Sequence, residues 1–364
     1  MALPHHISVP APIHVPPSAR ICIVMMSAVG DVVHALPVIT ALKRHDPGCH
    51  ITWVLQPGPA SLVRGHPDVD DIIVLDRRRG WRAFLDMRRE LAQRQIDITL
   101  GLQDYFKAGI ITELTRAPIR LGYDRSRARD LNWLFTNQHI QSRAPQHVQD
   151  EYLEFLGALG IAAEPLQWKL GPWTEELSWQ REFSAWFDRP VAALVIGSSR
   201  PHKDWPAERW AEVSNALATD FDLQPVLVGG RSEREVETER VILERTGNAT
   251  VSALGSGLRR LVGIIDASAL VISLDTGPLH MAVALQRPVV SLIGYSNPLR
   301  TGPYRSFHDL MVNAYGDTMR NGRMTTDKRP GRMARIATDD VLAKVELWRE
   351  RYADSPSTRT HRKS

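Results

Sequence analysis

An alternation of short apolar runs with amphipathic, helix-like stretches constrains the fold of this chain more than any other feature. The first group of apolar runs lies at residues 20–26, 51–55, 72–75 and 98–102. Helix-like stretches separate or follow these runs at residues 31–44, 81–94 and 108–115. Short, continuous, β-branched runs separated by helices are typical of a parallel sheet covered on both faces. The sequence therefore predicts an α/β fold.

The same pattern begins again after a region rich in Pro and Trp at about residues 165–190. Strand-like runs follow at residues 191–196, 225–228, 251–254, 270–274 and 289–293. Helix-like stretches follow at residues 206–217, 232–245, 258–267, 278–285 and 338–351. We predict two doubly wound, Rossmann-like domains that face each other across a cleft. The predicted boundaries are 19–170 for the first domain, 185–337 for the second and 338–353 for a C-terminal helix.

The ends of the chain and its composition restrict the class of protein. Residues 1–18 contain no Lys or Arg and are rich in His and Pro, so we predict a disordered leader rather than a secretory signal. Residues 354–364 are predicted to be a frayed tail. The two cysteines form no CxxC pair and every apolar stretch is strand-sized, which favours a cytoplasmic location.

The net charge of +4 comes from residues 20–150, which hold 18 Lys and Arg against 14 Asp and Glu. This excess favours an anionic partner for the first domain. It is too small to indicate nucleic acid.

In sheets of this kind, ligands bind outside the carboxyl ends of the strands, so the residues after each apolar run are the informative ones. The first such segment is SAVGDVVHALP at residues 27–37. Asp31 is predicted at the start of a helix, where the dipole and the amides hold its carboxylate ionised. It is a candidate general base, although capping the helix is a commoner role for Asp at such a position. His34, one turn later, is either a ligand or a structural histidine.

A second segment, GSSRPHKDWP, occupies residues 197–206 after a predicted strand. The hydroxyls of Ser198 and Ser199 and the ammonium of Lys203 suit a pyrophosphate. The alternative is a basic surface loop that precedes a helix started by Pro206.

The third and most specific segment is LDTGPLHMAVAL at residues 274–285. Gly277 allows a ligand to approach the backbone, and Pro278 suits the first helical position. We predict that the next two amides, of Leu279 and His280, point freely from the helix start and form an anion site. A simply buried helix would account for the later apolar residues. It would not account for three polar residues at the end of the strand, which are Asp275, Thr276 and His280.

Two further segments carry weaker signals. Glu233 follows a predicted strand and could bind a ribose or sugar, whereas Glu235 is better explained as an acid at a helix start. Basic residues at 77–79, 120, 125, 127 and 129 could bind acceptor phosphates or anionic lipid head groups. A solvated basic surface is the alternative for any one of them.

Taken together, these segments resemble the heptosyltransferase family of inverting glycosyltransferases with the GT-B architecture. The matching motifs are GDVVHALP at 30–37, KDWP at 203–206, DTGPLHMA at 275–282, RPVV at 287–290 and LRTGPY at 299–304. The GDVVHALP stretch is closer to the enzyme that adds the first heptose. The chain departs from the family at Asp104 and Ala108, where Gly and Ser are expected, and the segment 315–332 fits no pattern.

The resemblance implies transfer of a heptose from ADP-L-glycero-D-manno-heptose to the Kdo-modified lipid A core of lipopolysaccharide, at the inner face of the inner membrane. It implies no cofactor and no metal. Asp31 would be the catalytic base. The implied donor contacts are Ser198, Ser199, Lys203, Glu233, Asp275, Thr276, Gly277 and His280. The implied acceptor contacts are Gly30, His34, Gln103, Lys107 and Arg120.

Three alternatives remain open at the level of the sequence. The enzyme could transfer heptose or another sugar to a different glycan or to a protein. The chain could also be a nucleotide-sugar-binding module without activity. A Rossmann oxidoreductase is disfavoured because no GxGxxG follows the first strand.

Overall fold

The protein, described here by a computed structural model for residues 11–353, contains two parallel six-stranded sheets. The first sheet comprises β1 (Arg20–Val24), β2 (His50–Leu55), β3 (Asp71–Val74), β4 (Ile98–Gly101), β5 (Ile119–Gly122) and β6 (Gln138–His139). The accompanying helices are α1 (Val29–His45), α2 (Pro57–Val63), α3 (Trp81–Ala92), α4 (Phe106–Leu114) and α5 (Val148–Ala158). Its strand order is β3-β2-β1-β4-β5-β6.

The second sheet repeats this plan. Its strands are β7 (Val191–Val195), β8 (Gln224–Val228), β9 (Val251–Ser252), β10 (Leu270–Leu274), β11 (Val289–Ile293) and β12 (Met311–Asn313). The later helices are α6 (Leu177–Ala185), α7 (Ala207–Thr219), α8 (Glu233–Thr246), α9 (Leu258–Ala267), α10 (Gly277–Ala284), α11 (Pro298–Thr301) and α12 (Thr338–Arg351). A short antiparallel hairpin, β13 (Met319–Arg320) and β14 (Arg323–Met324), follows the sheet.

Both sheets have the strand order of a doubly wound fold, which confirms the predicted fold class. The order reverses between β1 and β4 in the first sheet and between β7 and β10 in the second. At such a switch point the loops after the two central strands diverge and leave a crevice. The segments after β1, β7 and β10 are the three that the sequence singled out, so the fold places all of them at switch points.

The two domains share one apolar core. It runs from Ile39 and Leu42 of α1 to Ile264 and Leu279 in the helices of the second domain, and all four side chains are buried. Two glycines allow the helix starts to meet. A Cβ at Gly30 would lie 2.8 Å from Cδ2 of His280, and a Cβ at Gly277 would lie 2.7 Å from Cγ1 of Val29. The starts of α1 and α10 are therefore in direct contact.

Two predictions about the connecting regions need correction. Within the predicted leader, Ile13 and Val15 pack on the apolar core that the two domains share. The amide of Ile13 donates to the carbonyl of Ala158 at 2.9 Å. Residues 11–18 are thus held by apolar contact, while residues 1–10 and the predicted tail at 354–364 lie outside the described residues. The region rich in Pro and Trp at 165–190, where the sequence predicts no helix, contains α6, whose Gln180 donates to the carbonyl of Gly263 at 3.0 Å. The Pro and Trp content concealed this helix.

The domain boundaries themselves stay a prediction, although both sheets lie within them. The C-terminal helix α12 packs Val341, Val345 and Trp348 into the core of the second domain. No helix within residues 11–353 has both the length and the hydrophobicity needed to cross a bilayer.

Candidate functional site

Asp31 lies at the start of α1, directly after the central strand β1. Its Oδ2 accepts a hydrogen bond from the amide of Ala28 at 3.0 Å, so the capping role considered from the sequence is real. The hydroxyl of Tyr152 on α5 donates to Oδ1 at 3.4 Å. Capping occupies one carboxylate oxygen strongly and leaves the other with a single long bond. The two roles of Asp31, helix cap and candidate base, are therefore compatible.

The surroundings of Asp31 raise the pKa of its carboxyl group. Burial is the largest cause, and the bonds from Ala28 and Tyr152 and the charges of Arg300 and Lys203 oppose it. Arg300 and Lys203 both belong to the second domain, so the electrostatics of Asp31 depend on residues from both sides of the cleft. A raised pKa brings a carboxylate closer to the value that suits proton abstraction near neutral pH.

Lys203 and Asp275 join the two central strands of the second sheet. The ammonium of Lys203, from the loop after β7, donates to the main-chain oxygen of Asp275 at 2.7 Å and to its Oδ2 at 2.8 Å. The hydroxyl of Thr301 donates to the same Oδ2 at 3.2 Å. Asp275 is buried, with 4% of its surface exposed. An ammonium has three N–H donors, so one donor of Lys203 remains for a ligand.

The helix start after Asp275 differs in one detail from the prediction. The amide of Leu279 donates to the carbonyl of Thr276 at 3.1 Å and is not free. The reason is that α10 begins at Gly277, one residue earlier than predicted, with Thr276 as its N-cap. The side chain of Thr276 caps no amide and bonds instead to the carbonyl of Leu274 at 3.3 Å.

Three histidines lie at the contact between the domains. The rings of His34 and His280 are 4.2 Å apart between centroids, and those of His34 and His147 are 5.5 Å apart. Burial lowers the pKa of His34 and of His147 to about 4, and it lowers the pKa of His280 well below its usual value. His34 is satisfied by Gln149, whose Oε1 lies 3.1 Å from its Nδ1. This environment favours the structural alternative for His34, and its predicted acceptor contact stays a prediction.

Several contacts across the cleft involve residues that the sequence did not single out. Arg300 of α11 forms a two-point ion pair with the buried Glu151 of α5, at 2.5 and 3.1 Å. The hydroxyl of Tyr304 donates to Asp150 at 2.5 Å. Arg300 and Tyr304 belong to the LRTGPY motif, so a signal existed for them. Residues 148–152 carry no comparable pattern, and only the fold brings α5 to Asp31.

The remaining predicted donor residues occupy different environments. The hydroxyl of Ser198 donates within its own loop, to Asp204 Oδ1 at 2.6 Å, whereas Ser199 is exposed. Glu233 is exposed at the first position of α8. Glu235 accepts from the amides of Gly230 and Ser232 at 2.7 and 2.9 Å, which is the helix-start role expected for it.

Of the remaining predicted acceptor residues, the structure brings Gln103 to the turn that carries Asp31. Its buried amide accepts from the Met26 amide at 2.9 Å and donates to the Ser27 carbonyl, so it positions that turn. Lys107 is exposed near the start of α4. Arg120 is not brought to the site, because its guanidinium binds the carbonyls of Ala117 and Phe135 at 2.9 and 3.1 Å. Those contacts hold it near the amino end of β5, away from Asp31.

The arrangement is suited to proton abstraction beside an anion. A carboxylate with a raised pKa lies at the switch point of one sheet, and a lysine with a spare donor lies at that of the other. Among residues 11–353, no group of three or more His, Cys, Asp and Glu side chains is placed to hold a metal ion.

Comparisons with known proteins identify relatives of this chain and similar folds. Residues 84–328 match the family model for glycosyltransferase family 9 (heptosyltransferase). The chain is 31% identical over 296 residues to lipopolysaccharide core heptosyltransferase OpsX of Haemophilus influenzae, covering 81% of this chain and 84% of that protein. Its fold is similar to that of a family 9 glycosyl transferase from Veillonella parvula, with a TM-score of 0.78, 23% identity and coverage of 93% and 98% of the two chains.

It is also similar in fold to E. coli heptosyltransferase WaaC, which has been solved with ADP and with ADP-2-deoxy-2-fluoro heptose. The TM-scores are 0.70 and 0.68, the identities 24% and 22%, and the coverage 92% and 90% of this chain and 99% of both WaaC chains.

We expect Lys203→Met to lower the free energy of unfolding by about 3 kcal/mol, because the buried Asp275 carboxylate loses its cation. Lys203→Met/Asp275→Asn should recover most of that loss, since no uncompensated charge remains. Chemical denaturation of both variants measures the difference. Equal stability of Lys203→Met and the wild type would show that this ion pair does not stabilise the fold.

Proposed function

The chain belongs to glycosyltransferase family 9, the heptosyltransferases, and on that premise we propose that it transfers heptose from ADP-L-glycero-D-manno-heptose to the Kdo-modified lipid A inner core. The observation that carries the proposal is the position of Asp31, on the acceptor side of the cleft and within electrostatic reach of Lys203 and Arg300. Relatives that are named for lipopolysaccharide core heptose transfer, or were solved with ADP, support the choice of acceptor and donor.

The reaction we propose is a single inverting displacement. Asp31 takes the proton of the acceptor hydroxyl while the acceptor oxygen attacks the anomeric carbon. The bond from that carbon to the diphosphate oxygen breaks, and ADP leaves with the bonding electrons. The hydroxyl of Tyr152 and the amide of Ala28 hold the carboxylate in place.

Charge develops on the leaving ADP, and cations of the second domain lie where they can balance it. Lys203 keeps one N–H donor beyond its two contacts with Asp275. Ser199, exposed in the same loop, supplies a hydroxyl, and Glu233, exposed at the start of α8, could accept from the ribose. We propose that these groups, rather than a metal ion or a cofactor, provide the polar contacts to the donor.

The acceptor is lipid-linked, so we further propose that the enzyme works at the inner face of the inner membrane. Five exposed apolar side chains form an apolar rim on the first domain, namely Trp81, Leu85, Phe106, Leu131 and Leu134. Trp81 begins α3, Phe106 begins α4, and Leu131 and Leu134 follow β5, so the rim lies at the carboxyl edge of the sheet, as Asp31 does. The arginine run 77–79 adjoins the rim and suits anionic head groups.

We propose that the rim adjoins the acceptor side of the cleft. Tyr105, which precedes α4, bonds to Ser27 and is influenced by the charges of Asp31 and Arg77. A lipid held against the rim would therefore present its sugar toward Asp31. Acceptor contact by the exposed Lys107 at the start of α4 is part of the same proposal.

We expect Asp31→Asn to lower kcat by about 100- to 10,000-fold, because the amide cannot take the proton. Asn keeps an oxygen for the Ala28 amide, so ADP affinity should stay unchanged. ADP release from ADP-heptose, with and without Kdo-lipid A, measures turnover, and calorimetry measures ADP affinity. Asp46→Asn, at the other end of α1, is the control. Near-normal turnover of Asp31→Asn would refute the base, and wild-type release that needs a different glycan or a protein would refute the acceptor.

A second prediction concerns pH. Because the positive charge of Arg300 lowers the pKa of Asp31, its removal should move the acidic limb of the kcat/KM profile to higher pH. The variant Glu151→Gln/Arg300→Met removes both members of the ion pair, so neither partner is left as an unpaired charge. The control, Glu151→Gln alone, keeps the arginine. An acidic limb that lies at the same pH in the double variant and in Glu151→Gln would argue against Asp31 as the titrating base.

For the membrane surface, we expect Trp81→Ser/Leu131→Ser/Leu134→Ser to weaken binding to vesicles of phosphatidylglycerol and phosphatidylethanolamine by about tenfold or more. Trp186→Ser is the matched control, since Trp186 is 74% exposed in the second domain and Trp81 is 69% exposed. Co-sedimentation measures binding. An equal loss in both variants, or no loss in the triple variant, would remove the rim from the proposal.

A further inference from the structure

The segment 315–332, which follows no family pattern, is firmly attached to the second domain. Tyr315 at its start is fully buried, and its hydroxyl lies 3.0 Å from Thr325 Oγ1. The side-chain amide of the buried Asn297 donates to the carbonyls of Thr318 and Thr325 at 2.7 and 2.8 Å. The segment therefore has a defined position against the loop that follows β11.

Within this segment, the backbone on both sides of Lys328 is held. The carbonyl of Asp327 accepts from the Tyr315 hydroxyl at 3.1 Å, and the amide of Arg329 donates to the carbonyl of Tyr295 at 2.9 Å. The guanidinium of Arg329 lies 4.1 Å from the centre of the Tyr315 ring and donates to the Tyr315 carbonyl at 2.7 Å. These contacts fix the position from which the side chain of Lys328 extends.

The ammonium of Lys328 lies beside the loop that follows β11. Its Nζ is 3.4 Å from Ser296 Oγ and 5.8 Å from the centre of the Tyr295 ring. Burial is the largest cause of the lowered pKa of Lys328, the charges of Lys203, Arg300 and Arg200 add to it, and the charge of Asp275 opposes it. The ring of His202, the residue before Lys203, stacks on the same Tyr295 ring with centroids 5.8 Å apart, so Lys328 and the segment that carries Lys203 meet at Tyr295.

The nearby carboxylates are already paired with other cations, and Glu151 is bound by Arg300. Asp275 is already bound by Lys203 and by Thr301. The neighbouring carboxylate of Asp327 lies 3.9 Å from Arg320, and both side chains are exposed. In the part of the chain that the structure describes, no carboxylate lies within ion-pair distance of Lys328. Holding like charges together costs free energy, and a bound anion is what would offset that cost.

We propose that Lys328 is a second cation for the diphosphate of a nucleoside diphosphate donor, acting together with Lys203 from the other side of the anion. The segment 315–332 is the support that holds it there. The inference rests on the proposed function in one respect, that the donor carries a diphosphate. Lysine suits this position because its ammonium is a compact charge that keeps two N–H donors beyond its contact with Ser296.

Calorimetric titration of the full-length protein with ADP and with adenosine tests the proposal. We expect Lys328→Gln to raise the Kd for ADP by about 10- to 100-fold, because a charge-assisted contact is lost, and to leave adenosine binding unchanged. Lys328→Arg, which keeps the charge, should restore part of the ADP affinity. Lys344→Gln is the control, because Lys344 on α12 binds the carbonyl of Asp309 at 2.7 Å and is remote from Lys203.

The outcomes separate this proposal from the proposed function. ADP affinity within twofold of the wild type in Lys328→Gln would overturn the role of Lys328 and leave the donor assignment standing. An equal loss of ADP and adenosine affinity would also overturn it, since that points to a displaced loop. If the wild type binds UDP or GDP in place of ADP and Lys328→Gln weakens that binding, Lys328 stands and the donor proposal fails. Absence of binding to all three diphosphates would overturn both.

Discussion

The contact between the starts of α1 and α10 is the constraint on which the rest of the site depends. Each helix follows the central strand of its sheet, so each start carries the residues that the switch point offers to a ligand. Gly30 and Gly277 let the two starts approach, because a Cβ on either would collide with His280 or with Val29. The same contact brings Asp31 of one domain near Lys203 and Arg300 of the other. Without it, the two halves of the site would lie on separate surfaces.

The charges around this contact are largely paired before any substrate arrives. Lys203 is bound to Asp275 within the second domain, and Arg300 is bound to Glu151 across the cleft. Three histidines lie near these pairs, His34 and His280 buried and His147 half-buried, and all three are neutral because burial lowers the pKa of each. Positive charge is therefore kept out of the apolar junction and retained at its margin. Lysine side chains with spare donors at that margin, Lys203 and Lys328, are the ones we assign to the donor.

The strands, the doubly wound fold and the location of the three key segments could be predicted from the sequence, since strand period and strand ends are local properties. Contacts made by distant segments could not. Tyr152 and Glu151 reach the site only because α5 packs beside α1, and no sequence motif predicts that packing. The contacts of Arg120 with Ala117 and Phe135 could not be predicted either, because a cluster of arginines in sequence does not show which end of β5 each one faces. The amide of Leu279 donates to Thr276 and is not free, because α10 starts one residue earlier than the sequence predicts. Lys328 depends on a long segment held by Tyr315 and Asn297, which no periodicity reveals.

The shared apolar core has a consequence for how such a protein can diversify. Residues of α1 and α10 pack against both domains, so a substitution in either helix must be compatible with the packing of both domains. The outer helices α3 and α4 and the loop after β5 pack only within the first domain. New acceptor preferences can therefore arise by altering that outer surface. Whole domains, by contrast, could be exchanged between relatives only if the starts of α1 and α10 still packed against each other.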